Sequence, residues 1–389
     1  MSRRALRWIG PGLLLLALIT GCDRMPAPPA EQRAARLAAD TGPIQVGLAW
    51  NFGLDRFLDG AELARRQINE DGGLLGRPLE FVIVDDTLGR GGAVGTALRV
   101  STELANHPRL MAVIGHYLSD VAIPASVTYE DEGILFLAPS AFRTSLTRHG
   151  FRYTFRTIPN SDFLSRQQAI FAHGQELRRI AILETRESWT EELANAFETS
   201  ALNLDLEIIF RRSFFTHHRD FRDIFADLSA QRFDAIFLAS GLDTALRIVG
   251  QAREMGLRIP ILVGHFAGLE AFERELSEAA DSVLAPVVIN PESEDPRVQR
   301  FINEFQRAFL VPPDDGAAQG YDAVMLMAHA IRRSASTIPL TVATTLRYSV
   351  SWRGVTGRHS FRRDGDIYTK MVSFSVLSNG EIDYISPSD

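Results

Sequence analysis

Two side chains that can act as covalent nucleophiles, the cysteine thiol and the lysine amine, occur once each, at Cys22 and Lys370. One cysteine excludes an intrachain disulfide framework, a cysteine-rich zinc site and an iron–sulfur cluster. No glycine-rich turn precedes Lys370, so the chain has neither a phosphate-binding P-loop nor a Ser-x-x-Lys acyl-enzyme motif. A pyridoxal Schiff base would have Lys370 as its only amine, and we expect no such cofactor.

Other clusters of reactive side chains also give weak signals for chemistry. His217 and His218 are adjacent, and neighbouring residues on an extended segment point in opposite directions, so they do not predict a shared metal ion. Asp85 and Asp86 are more typical of a polar strand end than of a cation site. The G-x-S-x-G nucleophile elbow is missing. The sequence therefore predicts no catalytic residue, no metal and no cofactor, and it favours a binding protein over an enzyme.

Length and composition indicate a globular protein. A chain of 389 residues is long enough for two ordinary domains. Hydrophobic residues make up 46% and charged residues 23%, which is normal for a globular protein. The formal net charge of -7 makes binding to a phosphate backbone a poor expectation. Nucleic acid is therefore not an expected partner.

The first residues have the pattern of a targeting segment. A basic start is followed by an apolar run at 8–20, which is too short to span a bilayer, so residues 1–21 are predicted to be a signal peptide. The end of this run, Leu18-Ile-Thr-Gly-Cys22, resembles a bacterial lipobox and predicts lipidation of Cys22. The alternative is a buried structural cysteine near an ordinary cleavage site. Asp23 is similar to the inner-membrane retention signal of enteric-type Gram-negative lipoproteins. The segment 22–43 is predicted to be a flexible lipidated tether that holds a periplasmic body at that membrane.

From residue 44 onward, short Val/Ile/Leu-rich strands alternate with amphipathic helices. This alternation predicts an α/β protein with two doubly wound parallel sheets that are covered on both faces. Ligands in such folds bind outside the carboxyl ends of the strands, so the cleft between two such units is the expected site. The predicted strands are 44–50, 79–84, 111–114, 134–137, 180–183, 206–210, 235–238 and 261–263, and the predicted helices are 59–70, 93–105, 191–201, 221–230 and 244–255.

Several motifs in this body occur together in one known family. They are Val113-Ile-Gly-His-Tyr-Leu-Ser119, Pro124-Ala-Ser126, Tyr129-Glu-Asp-Glu-Gly-Ile134 and Ala138-Pro-Ser140, followed by Tyr321-Asp-Ala323 and Gly365-Asp366. From about residue 44 to 382 the chain resembles the Leu/Ile/Val-type periplasmic binding proteins of ABC transporters, which have the type I fold. The resemblance implies two lobes joined by three crossovers. Lobe 1 would be 44–160 with 290–371, and lobe 2 would be 161–289 with 372–389.

The resemblance also implies a ligand-binding site between the lobes. Ser119 matches the family serine that holds the α-carboxylate of an amino acid, and Ser140 matches the residue whose carbonyl accepts from the ammonium group. Trp189 matches an aromatic residue of lobe 2 that stacks over the ligand. The acidic partner of the ammonium group falls nearest His265. Phe142 stands where the family usually has a threonine that binds both charged groups.

These departures change the expected ligand. A buried ammonium group without an acceptor costs several kcal/mol, so the loss of the threonine and the acid weakens the ordinary amino-acid interpretation. Trp50, Phe52 and Tyr117 are expected to join Phe142 and Trp189 in an aromatic wall. We therefore expect a ligand with an acidic or amide end and an apolar body. Three acids that could replace the missing partner are Asp120, Glu187 and Asp243.

Structural alternatives exist for each of these residues. Ser119 could cap the helix that it starts. Phe142 and Trp189 could be packing residues, and His265 could be a hydrogen-bonded residue of the cleft without ligand contact.

The sequence thus favours a lipid-anchored solute-binding protein that presents a small amino acid, carboxylate or amide to an ABC permease. The alternative is a ligand sensor or regulatory envelope lipoprotein with the same fold and no transport role. A neighbouring permease and ATPase gene pair would favour transport, whereas a neighbouring kinase or cyclase gene would favour the sensor.

Overall fold

The computed structural model describes residues 26–264, 268–368 and 370–386, and the fold within them is built on two large sheets. Sheet 1 has five strands in the order β2-β1-β3-β4-β5, all of them parallel. We call the unit around this sheet lobe 1. Its strands are β1 (Ile44–Trp50), β2 (Leu79–Asp85), β3 (Leu110–Gly115), β4 (Leu135–Ala138) and β5 (Thr154–Arg156).

Sheet 2 has seven strands in the order β14-β13-β10-β9-β8-β6-β7, and we call the unit around it lobe 2. The five strands β6 to β10 are parallel, whereas β13 and β14 form an antiparallel pair at one edge. The turn between β13 and β14 is Asn379-Gly380, and both residues have positive φ, as a tight hairpin requires. The strands are β6 (Arg179–Thr185), β7 (Glu207–Phe214), β8 (Ala235–Ala239), β9 (Ile261–Val263), β10 (Val283–Val287), β13 (Ser373–Ser378) and β14 (Glu381–Ile385). A small separate hairpin joins β11 (Ser351–Gly354) to β12 (Gly357–Ser360).

Helices cover both sheets and follow the strands in alternation. Lobe 1 carries α1 (Pro29–Ala39), α2 (Phe57–Glu70), α3 (Gly92–Ala105), α4 (Ser119–Glu132), α10 (Pro296–Phe309), α11 (Asp315–Ser334) and α12 (Pro339–Ser349). Lobe 2 carries α5 (Ser161–Gly174), α6 (Ser188–Leu202), α7 (Arg222–Ser229), α8 (Leu242–Glu254) and α9 (Leu269–Leu276). Within the described residues, no helix combines the length and the apolar character that crossing a bilayer requires.

The apolar central strands are the most deeply buried elements of both sheets. Strand β3 is buried at every position, and strand β8 is as well. Such strands read as continuous Val/Ile/Leu/Ala runs because parallel sheets are covered by helices on both faces. The predicted α/β class with two sheets dominated by parallel strands is confirmed.

The chain passes between the lobes three times. It leaves sheet 1 after β5 and enters sheet 2 at β6, returns after β10 to the helices that pack on sheet 1, and ends in β13 and β14 of sheet 2. Polar side chains join these passages. Buried Arg156 donates through Nε to Asp366 Oδ1 at 2.8 Å, and Asn160 donates to the other oxygen of Asp366 at 2.6 Å.

The expectation of a flexible tether over 22–43 requires a correction within the described residues, because Pro29–Ala39 is a helix docked on lobe 1. Proline at the first helical position favours the helix start. Arg33 is 1% exposed and donates to the backbone carbonyl oxygens of Ala105, His107, Leu110 and Glu132 at 2.7–3.2 Å. Cys22 and Asp23 lie outside the described residues, and their predicted roles stay predictions.

Candidate ligand-binding site

Ser119 stands at the carboxyl edge of sheet 1, at the first position of α4. The residue before it, Leu118, is the N-cap and makes no side-chain capping bond, so the alternative that Ser119 caps this helix is wrong. The Ser119 hydroxyl oxygen instead accepts the backbone N–H of Arg143 at 3.3 Å, and the residue is 6% exposed. A hydroxyl beside the N–H groups of a helix N-terminus is suited to a carboxylate or an amide oxygen.

The segment after β4 is held next to Ser119 by Arg156. The Arg156 guanidinium donates to the carbonyl oxygen of Ala141 at 3.2 Å and also to that of Arg143, while Nη2 donates to Thr147 Oγ1 at 2.9 Å. The Phe142 carbonyl oxygen accepts the N–H of Ser161 at 2.8 Å. The backbone from Ala141 to Arg143 is therefore fixed by these donors, which positions the side chain of Phe142.

Phe142 bridges the two lobes through apolar contacts. Its ring meets the Trp189 ring edge-on, with 5.8 Å between centroids and 78° between planes. It also packs against a buried cluster of lobe 2 that includes Leu164 and Leu193. Both aromatic rings are half-buried. The structure thus brings together Ser119, Phe142 and Trp189, and it gives Phe142 a packing role as well as a place at the cleft.

Tyr117 and Trp50 form a second aromatic pair, but at different depths. Tyr117 is half-buried, and burial raises the pKa of its hydroxyl to about 12. Trp50 is 1% exposed, stacks on Phe57 at 3.7 Å and meets Tyr117 edge-on at 5.6 Å. Its indole N–H donates to Asp55 Oδ1 at 2.9 Å. Trp50 therefore supports Tyr117 from the core of lobe 1 instead of lining the cleft.

The acids that could replace the missing ammonium partner have different surroundings. His265, which falls at the family's acid position, lies outside the described residues. Glu187 accepts the hydroxyl hydrogen of Thr185 at 2.9 Å, and Asp243 is exposed in the first turn of α8. Asp120 accepts from Ser188 Oγ at 3.2 Å and from Arg143. Of these acids, Asp120 directly follows Ser119 and lies at the junction of the lobes.

Arg143 is a site residue that sequence reasoning missed. Its guanidinium, on lobe 1, bonds Asp120 of the same lobe and reaches Glu192 of lobe 2 at 3.1 Å. Glu192 Oε1 also accepts the N–H of Thr144 at 2.7 Å and the hydroxyl of Ser161 at 2.5 Å. Burial acts to raise the pKa of Glu192, but these three hydrogen-bond donors outweigh it and hold the pKa below the ordinary value. A charged network therefore joins the lobes beside the aromatic pair.

A polar pocket of about 600 Å³ opens next to this network. It is lined by one face of α6, with Ser188, Glu191, Glu192 and Asn195, together with Arg143. Neither Ser119 nor Trp189 lines it. We therefore assign this pocket to the polar rim of the junction between the lobes.

The missed network had only a partial signal in the sequence. Glu192 lies three residues after Trp189 and so shares a helix face with it, and Arg143 directly follows Phe142. The 49-residue separation of Arg143 and Glu192 hides their pairing from a single sequence. It becomes visible only when the two lobes are placed together.

Comparison with known proteins gives the same overall picture. The sequence model of the family described as periplasmic binding protein matches residues 37–381. The leucine-, isoleucine-, valine-, threonine-, and alanine-binding protein of Pseudomonas aeruginosa is 26% identical over 347 residues, covering 87% of this chain and 90% of that protein. The leucine-specific-binding protein of Salmonella typhimurium is 27% identical, covering 89% of each chain.

Solved structures agree with this assignment. An ABC transporter substrate-binding protein from Desulfitobacterium hafniense, in complex with Leu, superposes with a TM-score of 0.79 at 32% identity, over 88% of this chain and 100% of that one. The predicted resemblance is thereby confirmed. The chain belongs to the periplasmic binding protein family.

Proposed function

We propose that this protein captures a small solute between its lobes and delivers it to an ABC-type importer. The solute has a carboxylate or amide end and an apolar body, as an amino acid or a related acid does. The observation that carries the proposal is the placement of the Ser119 hydroxyl at the start of α4, next to the segment from which Phe142 meets Trp189. The names of the relatives, which bind leucine and similar amino acids, support this solute class.

The change from threonine to Phe142 sets the preference within that class. Phenylalanine removes a hydroxyl acceptor for an ammonium group and supplies an apolar ring. A relative from R. palustris, 21% identical, was solved in complex with benzoate, a carboxylate without an ammonium group. Such a ligand would use Ser119 for its acid group and the Phe142–Trp189 pair for its ring. We therefore place carboxylates with apolar bodies first and free amino acids second.

Binding is tested by a thermal-shift screen followed by calorimetric titration of the hits. The chain must begin before Pro29, because a fragment that starts near Ala39 would lose α1 and the bonds of Arg33. The panel holds leucine, phenylalanine, leucinamide, benzoate and isovalerate. A ligand at 100 times its Kd adds about 2.7 kcal/mol to the unfolding free energy, which is several degrees in Tm.

Two substitutions assign the hit to the proposed site. Ser119→Ala should weaken binding about tenfold, the value of one charge-assisted hydrogen bond. Its control is Ser126→Ala on the same helix, where the hydroxyl donates to the Ile123 carbonyl oxygen at 2.6 Å. Phe142→Thr should shift preference toward free amino acids. Equal binding by all variants, or no hit in the panel, would contradict the proposed site and favour a partner-sensing role.

The lipid anchor is a second part of the proposal. The pattern that ends in Cys22 and the Asp23 that follows support acylation and retention at the inner membrane. The mass of the purified protein and its partition into detergent test this directly. Cys22→Ser should abolish the acyl mass and release the chain from the membrane fraction, whereas an unmodified Cys22 in the wild type would refute the anchor.

A further inference from the structure

The way α1 is attached to lobe 1 determines which surface of the protein lies near the point of lipid attachment. Arg33 is almost fully buried, and its guanidinium donates to four backbone carbonyl oxygens and to a carboxylate oxygen of Glu132 at 3.0 Å. A second contact is made where Ala30 packs directly on Gly133. Thr337 also donates to the Leu37 carbonyl oxygen, at 3.5 Å. Helix α1 is thus part of the folded lobe.

The four carbonyl groups that Arg33 contacts share one edge of lobe 1. Ala105 ends α3, His107 lies in the turn before β3, Leu110 begins β3, and Glu132 ends α4 just before β4. These positions are at the amino ends of parallel strands. We call this surface, formed by α1 and residues 74–78, 106–109 and 133–134, the amino edge. Ligands of such sheets bind at the opposite, carboxyl edge.

Helix α4 runs from the carboxyl edge of lobe 1 to its amino edge, so its length gives the distance between them. It starts at Ser119, in the ligand site, and ends at Glu132, in contact with Arg33. Fourteen helical residues span about 20 Å. The ligand site and the docking site of α1 are therefore at opposite ends of one helix.

Little chain remains between the proposed lipid site and this docked helix. Seven peptide units connect Cys22 to Pro29, and they can extend over at most about 25 Å. The whole segment 22–43, had it been unstructured, would reach roughly three times as far. The docking of α1 removes that freedom.

We propose that the amino edge of lobe 1 is the face that this protein presents to the lipid bilayer while it is not docked on the importer. This inference rests on the acylation of Cys22 in the proposed function. Lobe 1 is then held by the membrane with α4 pointing away from it, and the ligand site lies beyond the far end of α4. The bilayer, and not a second protein, is the partner of this edge.

The two ends of β2 offer matched positions for a test. Leu75 precedes this strand on the amino edge and is 45% exposed, whereas Leu88 follows it at the carboxyl edge and is 50% exposed. The seven residues of β2 alone separate them by about 20 Å. Full-length Leu75→Cys and Leu88→Cys proteins are labelled with a donor dye and inserted into phosphatidylcholine–phosphatidylglycerol vesicles that carry an acceptor on the lipid headgroups.

The efficiency of energy transfer to the bilayer should be at least about twice as high from position 75 as from position 88. Equal transfer, or greater transfer from position 88, would overturn the orientation. Acylation is tested separately, because an acylated Cys22 has no free thiol and the wild type should take up no dye. Labelling of the wild type would refute the anchor itself, and the orientation would fall with it.

A longer tether tests the cause of the orientation without touching the folded lobe. A flexible Gly/Ser insertion of about 20 residues between positions 25 and 26 restores the reach that docking of α1 removes. The difference between positions 75 and 88 should then shrink. Persistence of the full difference would overturn the short tether as its cause.

Discussion

Lys370 donates its ammonium hydrogen to the Thr157 carbonyl oxygen at 2.9 Å and so joins the last passage between the lobes to the first. The same Nζ reaches Thr356 Oγ1 at 2.7 Å and His359 Nε2 at 3.1 Å. Lys370 is 2% exposed. The Gln167 side chain donates to the Lys370 carbonyl oxygen and accepts the N–H of Val372, so it also holds the backbone of this passage. The single lysine of the chain is therefore a structural element of the hinge.

Replacing this lysine should destabilise the hinge. Lys370→Met keeps the length of the side chain but leaves three buried acceptors without their donor, which should lower the unfolding free energy by about 2–4 kcal/mol. Chemical unfolding measures the loss. The control is Arg363→Met, which removes a cation from an exposed position and should change stability by less than about 0.5 kcal/mol. Similar stabilities of the two variants would contradict the structural role.

The charged contact between the lobes should affect ligand binding. In Glu192→Gln, an amide N–H₂ replaces the oxygen that faces the Arg143 guanidinium, so that two donors oppose each other. We expect about tenfold weaker binding of the ligand identified in the screen, because the closed arrangement loses a charge-assisted bond. Glu191→Gln changes an exposed neighbour on the same helix and should bind as the wild type does. Equal affinities of both variants would show that the network is not coupled to closure.

The fold was largely predictable because its strands carry local signals. The predicted strands 44–50 and 261–263 coincide with β1 and β9, and the predicted helix 93–105 differs from α3 by one residue. Apolar runs that end at glycine or at a polar turn determine such elements within a few residues of sequence. The antiparallel pair β13–β14 was not predicted, since its partner β10 lies about 90 residues earlier.

Helix α1 and the inter-lobe network were missed for a different reason. Helix α1 is polar and Ala-rich, and it is fixed by Arg33, whose acceptors lie 72 to 99 residues away. Trp50 was expected at the cleft, but the indole N–H pairs with Asp55 and the ring stacks on Phe57, so that it is drawn into the core. Long-range polar pairing leaves no periodic pattern in one sequence.

Close packing of α2 against α11 depends on glycine. A Cβ atom on Gly320 would overlap the Phe57 carbonyl oxygen, and neither backbone can withdraw without disturbing the helix pair. Gly320→Ala should therefore cost about 2–3 kcal/mol of unfolding free energy. Gly174→Ala, at an open position in α5 with nothing near the new methyl group, should gain about 0.5–1 kcal/mol. Thermal unfolding of both variants checks the opposite signs, and a destabilised Gly174→Ala protein would contradict the helix-entropy argument.

Asp315 should make stability depend on pH. Its Oδ1 accepts the N–H groups of Val288 and Ile289 at 3.1 and 3.2 Å, where the chain returns to lobe 1, while Oδ2 is buried with no hydrogen-bond partner among the described residues. Burial raises the pKa of Asp315 to about 8. Burial also raises the pKa of Asp55, to about 6. Both carboxyl groups hold a proton in the folded protein at pH values where the unfolded chain has lost it.

Because the folded protein binds more protons than the unfolded chain, its stability should fall as the pH rises. A carboxyl group whose folded pKa is raised contributes stability that is fully present below its unfolded pKa near 4 and is lost as the pH rises to its folded pKa. The window for Asp315 runs from about pH 4 to 8, with a slope of at most about 1.4 kcal/mol per pH unit. Asp315→Asn resembles the protonated form, so this variant should lose less stability than the wild type between pH 6.5 and 8. Urea unfolding of both proteins at half-unit steps measures the difference, with exposed Asp71→Asn as the control that should follow the wild type. Parallel curves for the wild type and Asp315→Asn would show that Asp315 is already ionised in the folded protein, in contradiction to its raised pKa.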